Sequence, residues 1–208
     1  MSHYFDEQPA VASAETSVDV VLPDVAFVLR TDRGVFSHGR LDTGTSLLLR
    51  NAPDLPTADS DPAGAGHLLD LGCGAGPIAI TMALRAPEST VWAVDVNERA
   101  RELTAMNAKR ANASNVRVAA PDEVPNEIEF TTIWSNPPIR IGKDALHEML
   151  QLWLGRLHPD GEAVLVVQKH LGADSLQRWL TAEGFPTDRI ASRAGFRLLQ
   201  VGRDSGTG

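Results

Sequence analysis

The 208-residue sequence holds one cysteine, Cys73. A single thiol excludes an internal disulfide and any cysteine-based metal cage within the chain. The six histidines, at 3, 38, 67, 147, 158 and 170, show no ligand spacing, so no metal site is expected. Nowhere do 18 apolar residues run together, which excludes a membrane-spanning helix. Met1 to Glu7 lack the basic and apolar order of a secretion signal, and a cytoplasmic protein is expected. Basic residues are also short: 19 Lys and Arg face 27 Asp and Glu, for a net charge of -8. That balance argues mildly against a nucleic-acid partner. Residues 1–65, however, hold 10 of the acids and 4 of the bases, so the rest is nearly neutral and leaves room for a local basic face.

What is present is the composition of one globular domain, 43% apolar and 22% charged, long enough for a full core. Residues 1–17 read as a loose polar arm. Val18 to Leu22 and Val25 to Thr31 read as two short strands joined by a two-residue turn, Pro23-Asp24. Val35 to Ser37 is short and extended. Ser46 to Arg50 reads as a helix with a Thr or Asp cap. Residues 51–66 form a Pro/Gly/Asp loop. From 67 the pattern alternates: strands at 67–71, 90–95, 115–119, 129–135 and 162–168, with helices near 77–86, 97–112, 143–156 and 172–182. That alternation implies a mostly parallel sheet. Pro159-Asp160-Gly161 is read as a turn into 162–168. The last two strands, 187–192 and 195–202, form an antiparallel pair across Arg193-Ala194-Gly195.

The stretch around which the chain is organised is Leu68-Leu69-Asp70-Leu71-Gly72-Cys73-Gly74-Ala75-Gly76-Pro77. An apolar strand carrying one acid enters a turn of alternating glycines, and a helical pattern follows. Glycine lets the backbone turn tightly and approach a ligand without a Cβ in the way. Pro77 suits a first helical turn, where its missing N–H costs nothing. This is a nucleotide-type site at the carboxyl end of the first strand of an α/β sheet. The dinucleotide fingerprint would need a glycine at position 77, where proline stands. Cys73, inside the loop, is read as a small packing residue.

Three later positions fit the same ligand. Asp95 closes the second strand, and its two carboxylate oxygens suit a ribose diol; the alternative is a cap for the helix starting near Asn97. Val96 would pack on the base. Asp122 is a candidate for the adenine amine or, equally, a turn residue. Trp134-Ser135-Asn136-Pro137-Pro138-Ile139 then ends the fourth strand, which a doubly wound sheet sets beside the first. A residue before proline is held extended, and each proline fixes its own φ, so this turn is stiff. The Asn136 side-chain oxygen and the Pro137 carbonyl give two acceptors near one point, suited to an NH₂ group. Accepting both hydrogens frees the nitrogen lone pair, which is catalysis by positioning and electrostatics. The plain alternative is a strand-ending turn.

The loop from Asp70 to Gly76 resembles motif I of the class I S-adenosylmethionine-dependent methyltransferases, and Asn136-Pro137-Pro138 resembles motif IV of the amino-methyltransferases. With Phe36-Ser37, Asp42, Gly44-Thr45, Asp95, Asn107 and the run from Ser135 to Lys143, the chain resembles the "methyltransferase small" domain family, in its small-subunit ribosomal RNA guanine-N2 branch. The resemblance implies a Rossmann-like seven-stranded, mostly parallel sheet with an antiparallel last strand and a small β-rich N-terminal extension. It divides the chain into an arm, extension and linker over 1–66, a methyltransferase core over 67–203 and a disordered tail over 204–208. It implies S-adenosyl-L-methionine as cofactor, held by Asp70, Gly72, Gly74, Gly76, Asp95, Val96 and Asp122, with Phe36 to Thr45 closing over the methionine end and Thr45 or Asp42 as the polar contact there. Asn136, Pro137 and Pro138 are the implied catalytic residues.

RNA is the implied partner. Arg140 and Lys143 are candidate phosphate contacts, with Lys169 and His170 at the same edge; a solvated helix start is the alternative. Motif IV commonly continues into Tyr or Phe, whereas Ile139 stands here, so base stacking falls to Phe36, Trp134 or His170, each also a packing candidate. The family's long members carry a second copy of the domain ahead of the catalytic one, and this chain resembles the single-domain form. Two rival functions remain: methylation of a glutamine amide or a small-molecule amine, and a non-catalytic module that holds cofactor or RNA.

Overall fold

The computed structural model describes residues 16–31, 41–56, 66–138 and 141–203. Readings placed on the N-terminal arm, Val35 to Ser37 with Phe36, most of the 51–66 loop, Ile139, Arg140 and the tail lie outside the described residues.

Strands β1 (Thr16–Val21) and β2 (Ala26–Thr31) form an antiparallel two-stranded sheet. Their connection is the expected two-residue turn: the register Val21 with Ala26 continues to Leu22, whose N–H donates to the Val25 carbonyl at 2.9 Å, and Pro23-Asp24 closes the hairpin. Helix α1 (Thr43–Asn51) begins three residues earlier than its apolar pattern suggests, because Asp42 caps it. The alternation then runs β3 (His67–Leu71), α2 (Pro77–Arg85), β4 (Thr90–Val94), α3 (Glu98–Arg110), β5 (Val116–Ala119), β6 (Phe130–Ser135), α4 (Lys143–Leu154), β7 (Leu157–Gln168), α5 (Ala173–Ala182), β8 (Thr187–Arg193) and β9 (Phe196–Val201).

Seven of these strands form one sheet in the order β5-β4-β3-β6-β7-β9-β8. The pairs from β5 to β7 are all parallel, and β9 runs antiparallel to both its neighbours. The seven-stranded, mostly parallel sheet with an antiparallel last strand is therefore the observed fold. One expectation needs correction. Pro159-Asp160-Gly161 does not precede a separate strand, since β7 already pairs at Leu157 with Phe130. The register shifts between Phe130 and Thr132, and the 158–161 segment is accommodated there as an irregularity inside β7.

Both faces of the sheet are covered, so its central strands are buried nearly throughout, mostly by apolar residues. On one face Leu68, Ala93, Trp134 and Val164 meet α1, α2 and the β1–β2 hairpin through Leu48, Ile80, Met82, Val20 and Leu29. On the other, Leu69, Ile133, Leu165 and Leu199 meet α4 and α5 through Leu150, Trp153 and Leu180. Alternation along β3 leaves Asp70 on the first face, an acid within a buried strand. The order of strands sets the site: β3 lies between β4 and β6, so the segments following these three strands emerge side by side at the carboxyl edge.

Candidate active site

After β3 the backbone turns sharply. Gly72 and Cys73 N–H groups donate to the Val94 carbonyl at 2.8 and 3.1 Å, and Gly72, Gly74 and Gly76 all have positive φ. Gly76, at φ 88°, is the residue before α2, and a Cβ there would meet Thr104 at 3.0 Å. A Cβ on Gly72 would meet nothing closer than the Pro138 ring at 3.9 Å, so the loop lies open towards motif IV.

Helix α3 holds the loop from behind. Thr104 Oγ1 donates to the Gly74 carbonyl at 2.9 Å, and Asn107 Nδ2 donates to the Ala75 and Arg30 carbonyls, both at 2.8 Å. Asn107 Oδ1 accepts from Arg30 N–H at 2.8 Å, so one buried amide joins β2, α3 and the glycine loop. Sequence reasoning gave these two residues no role. The available signal is their spacing: Ala100, Leu103, Thr104 and Asn107 are all buried on α3, a face with two polar members.

Asp70 is fully buried. Its Oδ2 accepts from Ala79 N–H in the first turn of α2 at 2.9 Å, and its Oδ1 has no hydrogen-bond partner among the described residues. Burial raises its pKa to about 8, against the lowering effect of the Ala79 bond and with a further rise from Asp95 nearby. Burial, with Asp95 and Asp70 close by, also pushes the Cys73 thiol well up, which fits an inert packing residue.

Asp95 follows β4. Its Oδ2 accepts from Gly74 N–H at 3.0 Å and its Oδ1 from Asn97 N–H at 2.9 Å. Asn97, not Asp95, caps α3, accepting from Arg99 and Ala100 N–H groups. Burial raises the Asp95 pKa, opposed by the two backbone donors and Arg101. Arg101 Nη1 donates to the Asp95 and Val96 carbonyls, which fixes the loop and leaves Val96 an apolar residue 37% exposed. Asp122 sits exposed in a short 3-10 turn, Pro121–Glu123, after β5.

Asn136 ends β6. Its Nδ2 donates to Asp42 Oδ2 at 2.8 Å and to Thr45 Oγ1 at 3.0 Å. The structure thus brings Asp42, Thr45, the glycine loop and Asn136 into one cleft, also lined by Leu29, Thr31, Leu41, Pro77 and Ile78. A larger concavity of about 870 Å³ runs along β5 and α3 and shares no residue with this cleft. Trp134 is fully buried in the core, so it cannot stack on a substrate base. Lys143, Lys169 and His170 are exposed, Lys143 opening α4 and the other two in the 3-10 turn after β7. Arg50 is spent on the fold, donating to the Val21 carbonyl at 2.8 Å.

These residues fit an adenosyl cofactor. The loop offers backbone with no side chain in the way at Gly72, Asp95 keeps acceptor capacity beyond its two backbone donors, and Val96 offers apolar surface beside it. Among the described residues no group of three or more His, Cys, Asp or Glu side chains is placed to hold a metal ion.

Comparison with known proteins gives the family and the fold. The methyltransferase small domain family matches residues 26–200. The chain belongs to that family. Its family and fold are those of S-adenosylmethionine-dependent methyltransferases. It is 35% identical over 176 residues to the uncharacterized protein YbxB of Bacillus subtilis (strain 168), covering 83% of this chain and 84% of that one. It is 36% identical over 176 residues to ribosomal RNA small subunit methyltransferase C of Pseudomonas aeruginosa (strain LESB58), covering 82% of this chain but 49% of the relative. The chain thus spans about half the length of that relative. Among solved structures, the T. thermophilus 16S rRNA N2 G1207 methyltransferase (RsmC), in complex with AdoMet and guanosine, superposes with a TM-score of 0.72 at 21% identity. It covers 94% of this chain and 52% of that one. A ribosomal protein L11 methylase from Lactobacillus delbrueckii subsp. bulgaricus superposes with a TM-score of 0.58 at 18% identity, covering 79% and 84%. At such identities the likeness is one of fold.

Proposed function

We propose that this methyltransferase acts on the exocyclic amine of guanine in small-subunit ribosomal RNA. The observation that carries the reading is the orientation of Asn136. Both hydrogens of its amide are donated to α1, so the atom left for a ligand is the acceptor, Oδ1. An acceptor at the end of β6, beside the glycine loop, suits a substrate NH₂.

The cofactor, when bound, supplies an electrophilic methyl group. Gly72, Gly74 and Gly76 would hold it against the loop, with Asp95 on its ribose, Val96 and Asp122 at its base and Thr45 near its methionine end. Asp70 belongs beneath the loop as a support for α2 rather than in contact. Asn136 Oδ1 and the Pro137 carbonyl would accept hydrogen bonds from the two N–H groups of the amine, turning its lone pair towards the methyl; the N–C bond forms as the S–C bond breaks, and the methylated nitrogen then gives up one proton to water. Pro138 keeps that turn rigid. The base must leave its stack to reach Asn136. Arg140 and Lys143 follow Asn136 by four and seven residues in the sequence and are the candidates for RNA phosphate, with Lys169 and His170 exposed at the neighbouring strand end. The sequence likeness to ribosomal RNA small subunit methyltransferase C favours RNA over a protein amide or a small amine. A cytoplasmic site of action goes with that substrate.

The test is transfer of labelled methyl from S-adenosylmethionine to small ribosomal subunits lacking their own methylation. Label that stays with the RNA, is released by ribonuclease and runs as N2-methylguanosine supports the reading. Label in the protein fraction, or none beside demonstrated cofactor binding, moves the substrate to a protein amide or a small amine.

A further inference from the structure

The N-terminus of α1 does two things at once. Asp42 caps the helix, its Oδ2 accepting from Thr45 N–H at 3.0 Å. The same oxygen accepts from Asn136 Nδ2 at 2.8 Å, and Thr45 Oγ1 takes the other hydrogen of that amide at 3.0 Å. A carboxylate only accepts, so the flipped amide would set its oxygen against the Asp42 oxygen. The orientation of Asn136 is therefore dictated by hydrogen-bond chemistry and not by packing alone. Thr45 is buried, which keeps water from competing for that bond. A bond to a carboxylate also polarises the amide and strengthens its oxygen as an acceptor.

We infer that Asp42 and Thr45 are positioning residues for Asn136. They lock its amide so that Oδ1 meets the substrate amine, and the Asp42 carboxylate raises the acceptor strength of that oxygen as the nitrogen gains positive charge. This rests on the reading of Asn136 as the amine's acceptor. It gives the N-terminal extension a part in the chemistry, because α1 is continuous in packing with β1 and β2.

Two variants separate positioning from folding. Asp42→Ser keeps a good helix cap but has a shorter side chain, withdrawn from Asn136. The Asn136 side-chain amide signals, assigned by their loss in Asn136→Ala, should shift and exchange faster in Asp42→Ser. Its kcat should fall about tenfold or more, by a larger factor than its cofactor affinity. The second variant reverses the bond. Asn136→Asp alone faces two carboxylates at one contact; combined with Asp42→Asn, the new amide can donate to the new carboxylate and still accept from Thr45 N–H. The double variant should recover at least about tenfold over Asn136→Asp. Unmoved amide signals in Asp42→Ser, or a double variant no faster than the single, would overturn the inference. The spectrum decides the clamp whichever acceptor substrate the enzyme uses. Full activity in Asn136→Ala would instead overturn the acceptor reading and leave the spectral result standing.

Discussion

Asp70 shows how one residue can be costly and useful together. Its carboxyl sits fully buried with one oxygen bonded to Ala79 N–H and the other without a partner, and its pKa rises to about 8 from 3.8. A raised folded-state pKa favours the folded protein fully below the unfolded value, and that advantage is lost as pH rises through about 8. Asp70→Asn keeps an acceptor for Ala79 and cannot ionise. Its Tm relative to the natural protein should therefore increase between pH 5 and pH 9; a difference that stays flat across that range would mean Asp70 is not protonated when folded. Asp95 differs in having two backbone donors on its carboxylate. Asp95→Asn turns an NH₂ towards one of those two N–H groups, so it should loosen the loop and weaken cofactor binding by about tenfold or more in calorimetry, and unchanged binding would remove Asp95 from the ribose. At this scale the sequence was legible in the turn at Gly72, where residue type and spacing together limit the backbone, whereas Asp70, expected to hold the cofactor, instead accepts from Ala79 N–H and supports α2. The partner of Asn136 was not legible, because Asp42 lies 94 residues away and the expected helix started after it.

Among elements, α3 is the one whose task was hidden. As a helix it is plain in sequence, with Asn97 as its cap and Lys109 and Arg110 in its last turn. What periodicity cannot say is which neighbour a buried polar pair will meet. Thr104 and Asn107 meet the carbonyls of the glycine loop, which the turn itself leaves unpaired. Asn107→Ala would strand one donor and two acceptors at once, Arg30 N–H and the carbonyls of Arg30 and Ala75. A loss of about 2–4 kcal/mol is expected in denaturant unfolding, with weaker cofactor binding. A loss below about 1 kcal/mol would show the tie to be dispensable. The parallel strands were legible for the opposite reason: both faces are covered, so apolar and β-branched residues predominate in each and turn residues bound it. The exception was β7, where Pro159 and Gly161 signal a turn but parallel pairing to β6 resumes across an irregularity.

For the molecule as a whole, a doubly covered sheet gathers residues from distant parts of the chain at one carboxyl edge. The glycine loop comes from β3, Asp95 from β4, Asn136 from β6 and Asp42 with Thr45 from α1. That β6 lies beside β3 could be expected of a doubly wound sheet, whereas the seating of the β1–β2 hairpin and α1 on the same face as α2 could not. The central claim is that Asn136 acts on the substrate amine and not on the cofactor. The most direct measurement is cofactor affinity and methyl-transfer rate for Asn136→Ala beside the natural protein. The account predicts a rate lower by on the order of a hundredfold or more with the cofactor dissociation constant unchanged within about twofold. A rate within a few-fold of the natural one, or a rate loss matched by an equal loss of cofactor affinity, would contradict it.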